Sequence, residues 1–592
     1  MHGAGLENTR LYQYCGRCAG RARDAQRKAF AIQKRDIFFG MCSRVLRARS
    51  ARRAAQSAIE FTCFSIDSPS AAWEAAHGYT GKRPSMRHTD KTRHHLFVIA
   101  LIAQSLLIVS ATSAQQWTTI ARSNQPAPGL PQGSLFAGGF GQPSIDSMGR
   151  ITFTSTMHNA PFTSALWATG PNGSDLSVAL YDNQPVPGES NLQFRISFLT
   201  PHLSEGGGIL ASAKLSAGTL GDAGSGILAI TPSDVRLLAR SGQPAPGVNG
   251  GVFAPDLYNA KLIGSADKLA FLGAARIGNL GYPGIWGATV GSQPKLLVVA
   301  NTPAPGSSQL FATFDLNGMT DEGEIGFRSE TSAGRHDLWI GRPGNYRSVL
   351  SNVTQDQTLH ARLTPSGSWV LPGVNDSSIT RMRPSGQMTT LATAHVQAPG
   401  LPPGVAVNRF ALHASASRTA DVVAFAATLE GSGVNSSNNS AAFISEYDQL
   451  KLIAREGEPA PGTGLGQLFD QDPVVFTNAG GQIVLISRLR GQDVHPLNNA
   501  GVWFDPGNGQ LQLALRTGDQ FNDNGMMRTV QRITPGLLRV DDGMTFLNDQ
   551  GQFIVHVEFN NGTGIYRLQV PEPSAAAIGL ICVASLLGRR RT

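Results

Sequence analysis

Three observations predict an all-β chain assembled from repeated meander sheets. Glycine (67) and proline (34) are spread along 592 residues of which only 15% are charged, the composition of a chain that turns often and makes many short strands. The phrase Ile120-Ala121-Arg122-Ser123-Asn124-Gln125-Pro126-Ala127-Pro128-Gly129 returns with its second proline at 128, 187, 246 and 305, a step of 59 held three times over. A separate turn signature, Asp146-x-x-Gly149 and its relatives, feeds strands in which apolar residues alternate. With 41% hydrophobic residues the chain also has ample core, so general disorder is excluded.

Along the chain, residues 1–85 come first, an Arg-rich stretch without periodicity. It reads as a disordered extension or as a mis-assigned translation start whose true beginning is Met86. Residues 86–114 follow as a secretory signal peptide: a basic segment from Met86, an apolar run from Leu96 to Ser110, and small residues before a cut between Ala114 and Gln115. A spanning anchor is the alternative, but the run is shorter than the ~20 residues a spanning helix needs.

The repeat domain occupies 115–569. Beyond the four copies in step, the phrase recurs as Ala454-Arg455-Glu456-Gly457-Glu458-Pro459-Ala460-Pro461-Gly462, weakly as Gln397-Ala398-Pro399-Gly400, and as a remnant at Leu515-Arg516-Thr517-Gly518-Asp519. Val349-Leu350-Ser351-Asn352 looks like the eroded opening of one more unit. The turn signature is clear at Asp146, Thr320, Asn478 and Asn548, each followed three residues later by Gly, where an Asx side chain and a positive-φ glycine make a turn. It is poor near Thr364-Pro365-Ser366-Gly367 and around Asp421. Tryptophans recur at one place in the unit, as Trp167, Trp286, Trp339 and Trp503.

One such sheet cannot bury both faces, whereas a ring or stack of them can. Seven or eight units fit the usual propeller of 4–8 blades, and a β-solenoid, whose coils are usually shorter, is the competitor. The fold class predicted is therefore all-β, a β-propeller of seven or eight meander blades built from repeats of about 59 residues, with a disordered N-terminal extension and terminal hydrophobic helices. Residues 570–592 close the chain with Pro571-Glu572-Pro573, an apolar stretch from Ala575 to Leu587, and Arg589-Arg590-Arg591. That order places the arginines on the cytoplasmic side of a short membrane segment.

Charge and chemistry narrow the function classes. The net charge is +8, yet residues 1–100 alone hold 18 Lys+Arg against 7 Asp+Glu and the terminal arginines add three more, which leaves residues 101–588 mildly acidic. The main body thus lacks the electrostatic motive for nucleic acid. Cysteines stand only at 15, 18, 42, 63 and 582, so no disulfide, thiolate metal site or cysteine nucleophile is expected between 64 and 581. No zinc-protease, nucleophile-elbow or P-loop spacing occurs, and neither catalytic residue, metal nor cofactor is predicted. Pro-x-Pro-Gly reads as a rigid corner that spaces blades, and the preceding arginines (Arg122, Arg240, Arg455, Arg516) as residues that pair with acids rather than as a basic ring. The tryptophans read as core before sugar platforms. Asp519–Gly525 reads as a solvated turn, since it lacks the distal Glu of a Ca²⁺ loop.

The tail, taken as a whole, resembles the PEP-CTERM sorting signal of exopolysaccharide-producing Gram-negative and related bacteria. The repeats resemble tandem extracellular units with an Asn-x-x-Gly-x-x-Ala-Phe signature. The resemblance implies Pro571, Glu572 and Pro573 as a sorting motif read by a membrane-embedded exosortase, Arg589, Arg590 and Arg591 as the membrane stop, and transient tethering at the inner membrane before surface attachment or release. Expected partners are that processing enzyme, signal peptidase and exopolysaccharide, with no nucleic acid. The function expected is a non-enzymatic interaction or structural component of the envelope or matrix. The alternative is a carbohydrate-active lyase or glycosidase with its site at the propeller mouth.

Overall fold

The structure is a computed structural model, and it describes residues 116–571 apart from 218–220, 232–233, 256, 258–261, 266, 356–359 and 535–544. The expected extension, signal peptide and hydrophobic tail helix lie outside the described residues. Among the described residues no helix is long and apolar enough to cross a membrane.

Eight antiparallel sheets follow one another as the blades of a propeller, which fixes the number left open by the sequence and excludes the solenoid. Blades 1 to 7 span 135–181, 192–240, 252–299, 311–353, 362–393, 405–455 and 467–516, and blade 8 spans 520–569. The first strands of neighbouring blades touch around the axis, as Leu192–Leu203 does with Leu262–Ser265 and Val405–Ala416 with Val474–Thr477. Because successive strands alternate in direction, first-to-second and third-to-fourth turns emerge on one face, called here the turn face. Second-to-third loops and blade-to-blade connections emerge on the other, the crossing face.

The repeated phrase builds the crossing. Its residue two before the first proline position is left-handed in seven copies, occupied by Asn124, Asn183, Gly242, Asn301, His395, Gly457 and Gly518, with φ of 61–86°. Asn and Gly tolerate that conformation best, which explains their dominance there. Its N–H bonds the first strand of the next blade, to the carbonyls of Phe136, Phe194, Phe253, Phe311, Val407, Phe469 and Val530 in turn. The residue between the prolines is buried, and its N–H bonds the start of the same strand.

The tryptophans complete this unit. Trp167, Trp286, Trp339 and Trp503 are all buried, with ring centroids 4.8–5.6 Å from Phe136, Phe253, Phe311 and Phe469, the residues whose carbonyls hold the crossing. Trp286 Nε1 donates to Pro246 O at 3.0 Å and Trp503 Nε1 to Pro461 O at 2.9 Å, so these two clamp the Pro-x-Pro-Gly corner directly, while Trp167 and Trp339 donate within their own blades to Ser155 Oγ and Ser329 Oγ. Of the arginines before the corner, Arg240 pairs with an acid, Glu189 at 3.0 Å, and so does Arg122, whereas Arg455 and Arg516 instead donate through Nε to the backbone carbonyls of Asn438 and Asn498.

Blade 8 closes the ring with the first described strand of the chain. Gln116–Arg122 pairs antiparallel with Gly562–Gln569, Gln116 standing opposite Gln569. Asp523 fastens this seam, and here the solvated-turn reading is corrected. The hairpin of Gln520–Asp523 on Met526–Thr534 turns the carboxylate inward, where it takes Arg122 at 2.6 Å, Arg528 at 2.9 Å and the Thr119 hydroxyl at 2.9 Å, fully buried. Burial pushes the Asp523 carboxyl up, but the hydrogen bonds from Arg122 and Thr119 and the two guanidinium charges outweigh it and hold the group below its ordinary value.

Candidate functional site

A four-residue turn joins the first and second strands in seven of the blades. Its fourth residue donates to the carbonyl of its first at 2.8–3.2 Å: Gly149 to Asp146, Gly207 to Ser204, Gly323 to Thr320, Gly367 to Thr364, Ala420 to Ser417, Gly481 to Asn478 and Gly551 to Asn548. The first side chain accepts from the turn's own backbone, as Asp146 Oδ1 does from Met148 and Arg150 at 2.9 Å, and Asn548 Oδ1 from Gln552 at 2.9 Å. Blade 3 makes a shorter turn, with Ser265 opposite Lys268. The weak stretches near Thr364 and Asp421 are thus the same turn, in blade 6 with Ala420 at φ 55° where the others have glycine.

These turns sit on the strands nearest the axis and lock edge to edge. Asn478 Nδ2 donates to Asn548 O at 2.9 Å, Asn548 Nδ2 to Asp146 O at 2.8 Å, and Asp321 N to Pro365 O at 2.9 Å. The second residue of the turn varies among the blades, with Asp alone occurring twice: Ser147, Glu205, Asp321, Pro365, Arg418, Ala479 and Asp549. Several of these converge on the mouth of the axial channel. Two adjoining cavities there, of about 160 and 110 Å³, share Glu205, Pro365, Ala416, Ser417 and Thr545, the first walled by blades 2 to 6 and 8 and the second by blades 1, 2 and 5 to 8.

The mouth is bridged across the ring. Arg418 of blade 6 pairs with Asp321 of blade 4, and its other arm stands 4.0 Å from Glu205 of blade 2, the blade diametrically opposite. Glu205 also accepts from Ser147 N at 3.0 Å, and its carbonyl takes Arg150 Nη2 at 2.8 Å. Burial pushes the Asp146 carboxyl up, Arg150 pulls it back through hydrogen bonds and charge, and Glu205 adds a smaller upward push. The result is a polar, partly exposed ring of mixed charge in which hydroxyl-rich or ionic groups find both donors and acceptors. Among the described residues no group of three or more His, Cys, Asp or Glu is placed to hold a metal ion.

Of the residues singled out in the sequence, Pro571 is described, and it lies on this same turn face: Val570 N donates to Gly551 O at 2.7 Å and Pro571 O accepts from Gln482 Nε2 at 3.1 Å. Glu572, Pro573, Arg589, Arg590, Arg591, Ala114 and Gln115 lie outside the described residues. Burial removes the tryptophans as sugar platforms. Glu205, Asp321 and Arg418 carried no sequence signal beyond their shared turn position.

Residues 103–577 match the family model described as a family of unknown function, DUF7453. No curated protein matches the chain. Among solved structures it is similar to TolB from Acinetobacter baumannii (12% identity, 56% of this chain and 66% of that one, TM-score 0.25) and to a puromycin hydrolase (14%, 71% and 58%, 0.32). It is also similar to the Dos1 propeller (12%, 74% and 94%, 0.34). The chain spans less than two thirds of the length of the first two.

Proposed function

The chain belongs to the DUF7453 family, a family of unknown function, and we propose that it is an exported bacterial surface protein, a non-enzymatic interaction or structural component of the cell envelope or exopolysaccharide matrix. One observation carries this reading. The described strands of the ring begin at Gln116 and end at Gln569, so the expected signal peptide, 86–114, and the expected sorting tail, 570–592, both fall outside the strands that form it. Signal peptidase and an exosortase-type enzyme are the proposed processing partners, with Pro571, Glu572 and Pro573 as the recognised motif. Exopolysaccharide is the proposed ligand class, received by donors and acceptors at the mouth. The test is intact mass and terminal sequencing of the native protein from membrane and culture-medium fractions. An extracellular product running from about Gln115 to near Pro571 supports the proposal, and a cytoplasmic product retaining residues 1–85 overturns it.

A second reading, a carbohydrate-active lyase or glycosidase, is favoured by the meeting of two carboxylates from different blades, Glu205 and Asp321, on one arginine. It predicts that Glu205→Gln abolishes turnover of a polysaccharide the native protein cleaves. The scaffold reading predicts no turnover to abolish.

A further inference from the structure

Facing blades pack through a cross-strand pair on the second and third strands. That pair is Leu272 with Ile285 in blade 3, Arg328 with Leu338 in blade 4, and Ile486 with Val502 in blade 7. In blade 6 it is Ala426 with Ala442. Ala442 is fully buried in the apolar cluster beside blade 7, and the short Ala426 side chain leaves unfilled the volume that Leu272 and Ile486 occupy in blades 3 and 7. A cavity of about 360 Å³ lies there, between blades 6 and 7, within the size range of small-molecule sites.

The walls of this cavity are chemically divided. Ala426, Val474, Val475 and Phe476 line it with apolar surface. Its rim carries Arg409, Asp376 and Asp472. Arg409 Nη2 donates to Asp376 Oδ2 at 2.8 Å, which engages one of the five guanidinium donors of a side chain that is 65% exposed. Asp472 lies in the break of the first strand of blade 7, between Gln467–Phe469 and Val474–Thr477, exposed and held at φ 59° ahead of Pro473. A cation, an anion and an apolar chamber at one opening match a small zwitterion with an apolar side chain.

We propose that the cavity between blades 6 and 7, with Asp376 of blade 5 at its edge, binds a free apolar α-amino acid: the carboxylate on Arg409, the ammonium on Asp472, and the side chain against Ala426 and Phe476. This site is separate from the channel mouth and does not rest on the export reading. A planar guanidinium suits a carboxylate in two-point contact, and the apolar wall rewards burial of the side chain.

The test is calorimetric titration of the purified full-length chain with phenylalanine, phenethylamine and 3-phenylpropionate. Phenylalanine is expected to bind saturably and at least about tenfold tighter than either half-molecule, the factor a lost charge-assisted contact supplies. Arg409→Gln is expected to weaken phenylalanine and 3-phenylpropionate and to spare phenethylamine, and Asp472→Asn to do the converse. Ala426→Leu is expected to abolish binding of all three without unfolding the protein, because blade 3 carries Leu272 at the same position. Unchanged binding in Ala426→Leu, equal affinity for the three probes, or no binding to the wild type would each overturn the proposal.

Discussion

The crossing face and the turn face are made from the same repeat, yet they treat its residues in opposite ways. On the crossing face the recurring residues are consumed by the fold: a left-handed Asn or Gly, a buried residue between prolines, a Phe carbonyl and a clamping Trp. On the turn face the recurring residues fix only the first and fourth positions of each turn, and the second is left to carry Ser147, Glu205, Asp321, Pro365, Arg418, Ala479 or Asp549. Repetition in this protein therefore marks structure, and individuality among blades marks where chemistry is available.

Substitutions that break this comparison separate by size. The largest effect is expected for Asp523→Ala, which strands Arg122 and Arg528 in a buried seam and should cost about 3–5 kcal/mol in denaturant unfolding. The same pair gives a pH signature. Since the folded value of Asp523 lies below its ordinary 3.8, its contribution is complete above that pH and disappears as pH falls through the folded value. Unfolding midpoints of wild type and Asp523→Ala should accordingly converge in acid and stay apart at neutral pH.

Next comes the crossing. Trp503→Phe keeps an aromatic ring but leaves the Pro461 carbonyl without its donor, at an expected cost of about 1–3 kcal/mol by the same measurement. Smaller and of opposite sign is Ala420→Gly, which relieves the only alanine at the fourth turn position and should stabilise the chain by up to about 1 kcal/mol. Smallest is Arg418→Ala. Its partners are partly exposed, so the stability change should stay below about 1 kcal/mol while any ligand of the mouth is affected far more. A mouth substitution that cost as much as Asp523→Ala would erase the distinction between the faces.

Much of the ring was legible in the sequence because backbone geometry demands particular residues. The phrase recurs because each crossing needs a left-handed residue and a buried one, and Asn352 keeps φ 55° even where the prolines of its unit are gone. What stayed hidden depended on distance. The turn at Ser417 escaped because Ala420 stands where the other copies have glycine. Asp523 passed for a solvated residue because its partner Arg122 lies about 400 residues earlier in the chain. Glu205, Asp321 and Arg418 were invisible for a different reason: the second turn position has no backbone requirement, so no pattern marks it, and only closure of the ring brings blades 2, 4 and 6 together. The cavity between blades 6 and 7 follows from small residues, which periodicity reads simply as apolar.

Eight blades form a ring closed by the first described strand, Gln116–Arg122. This closure is tested most directly by comparing urea unfolding of a chain that begins at Gln115 with one that begins at Asn124 and so lacks Gln116–Arg122. The longer form is expected to unfold in one cooperative transition and the shorter to lose at least about 3 kcal/mol, because the seam forfeits both its outer strand and the Arg122 partner of Asp523. Coincident transitions for the two chains would contradict it.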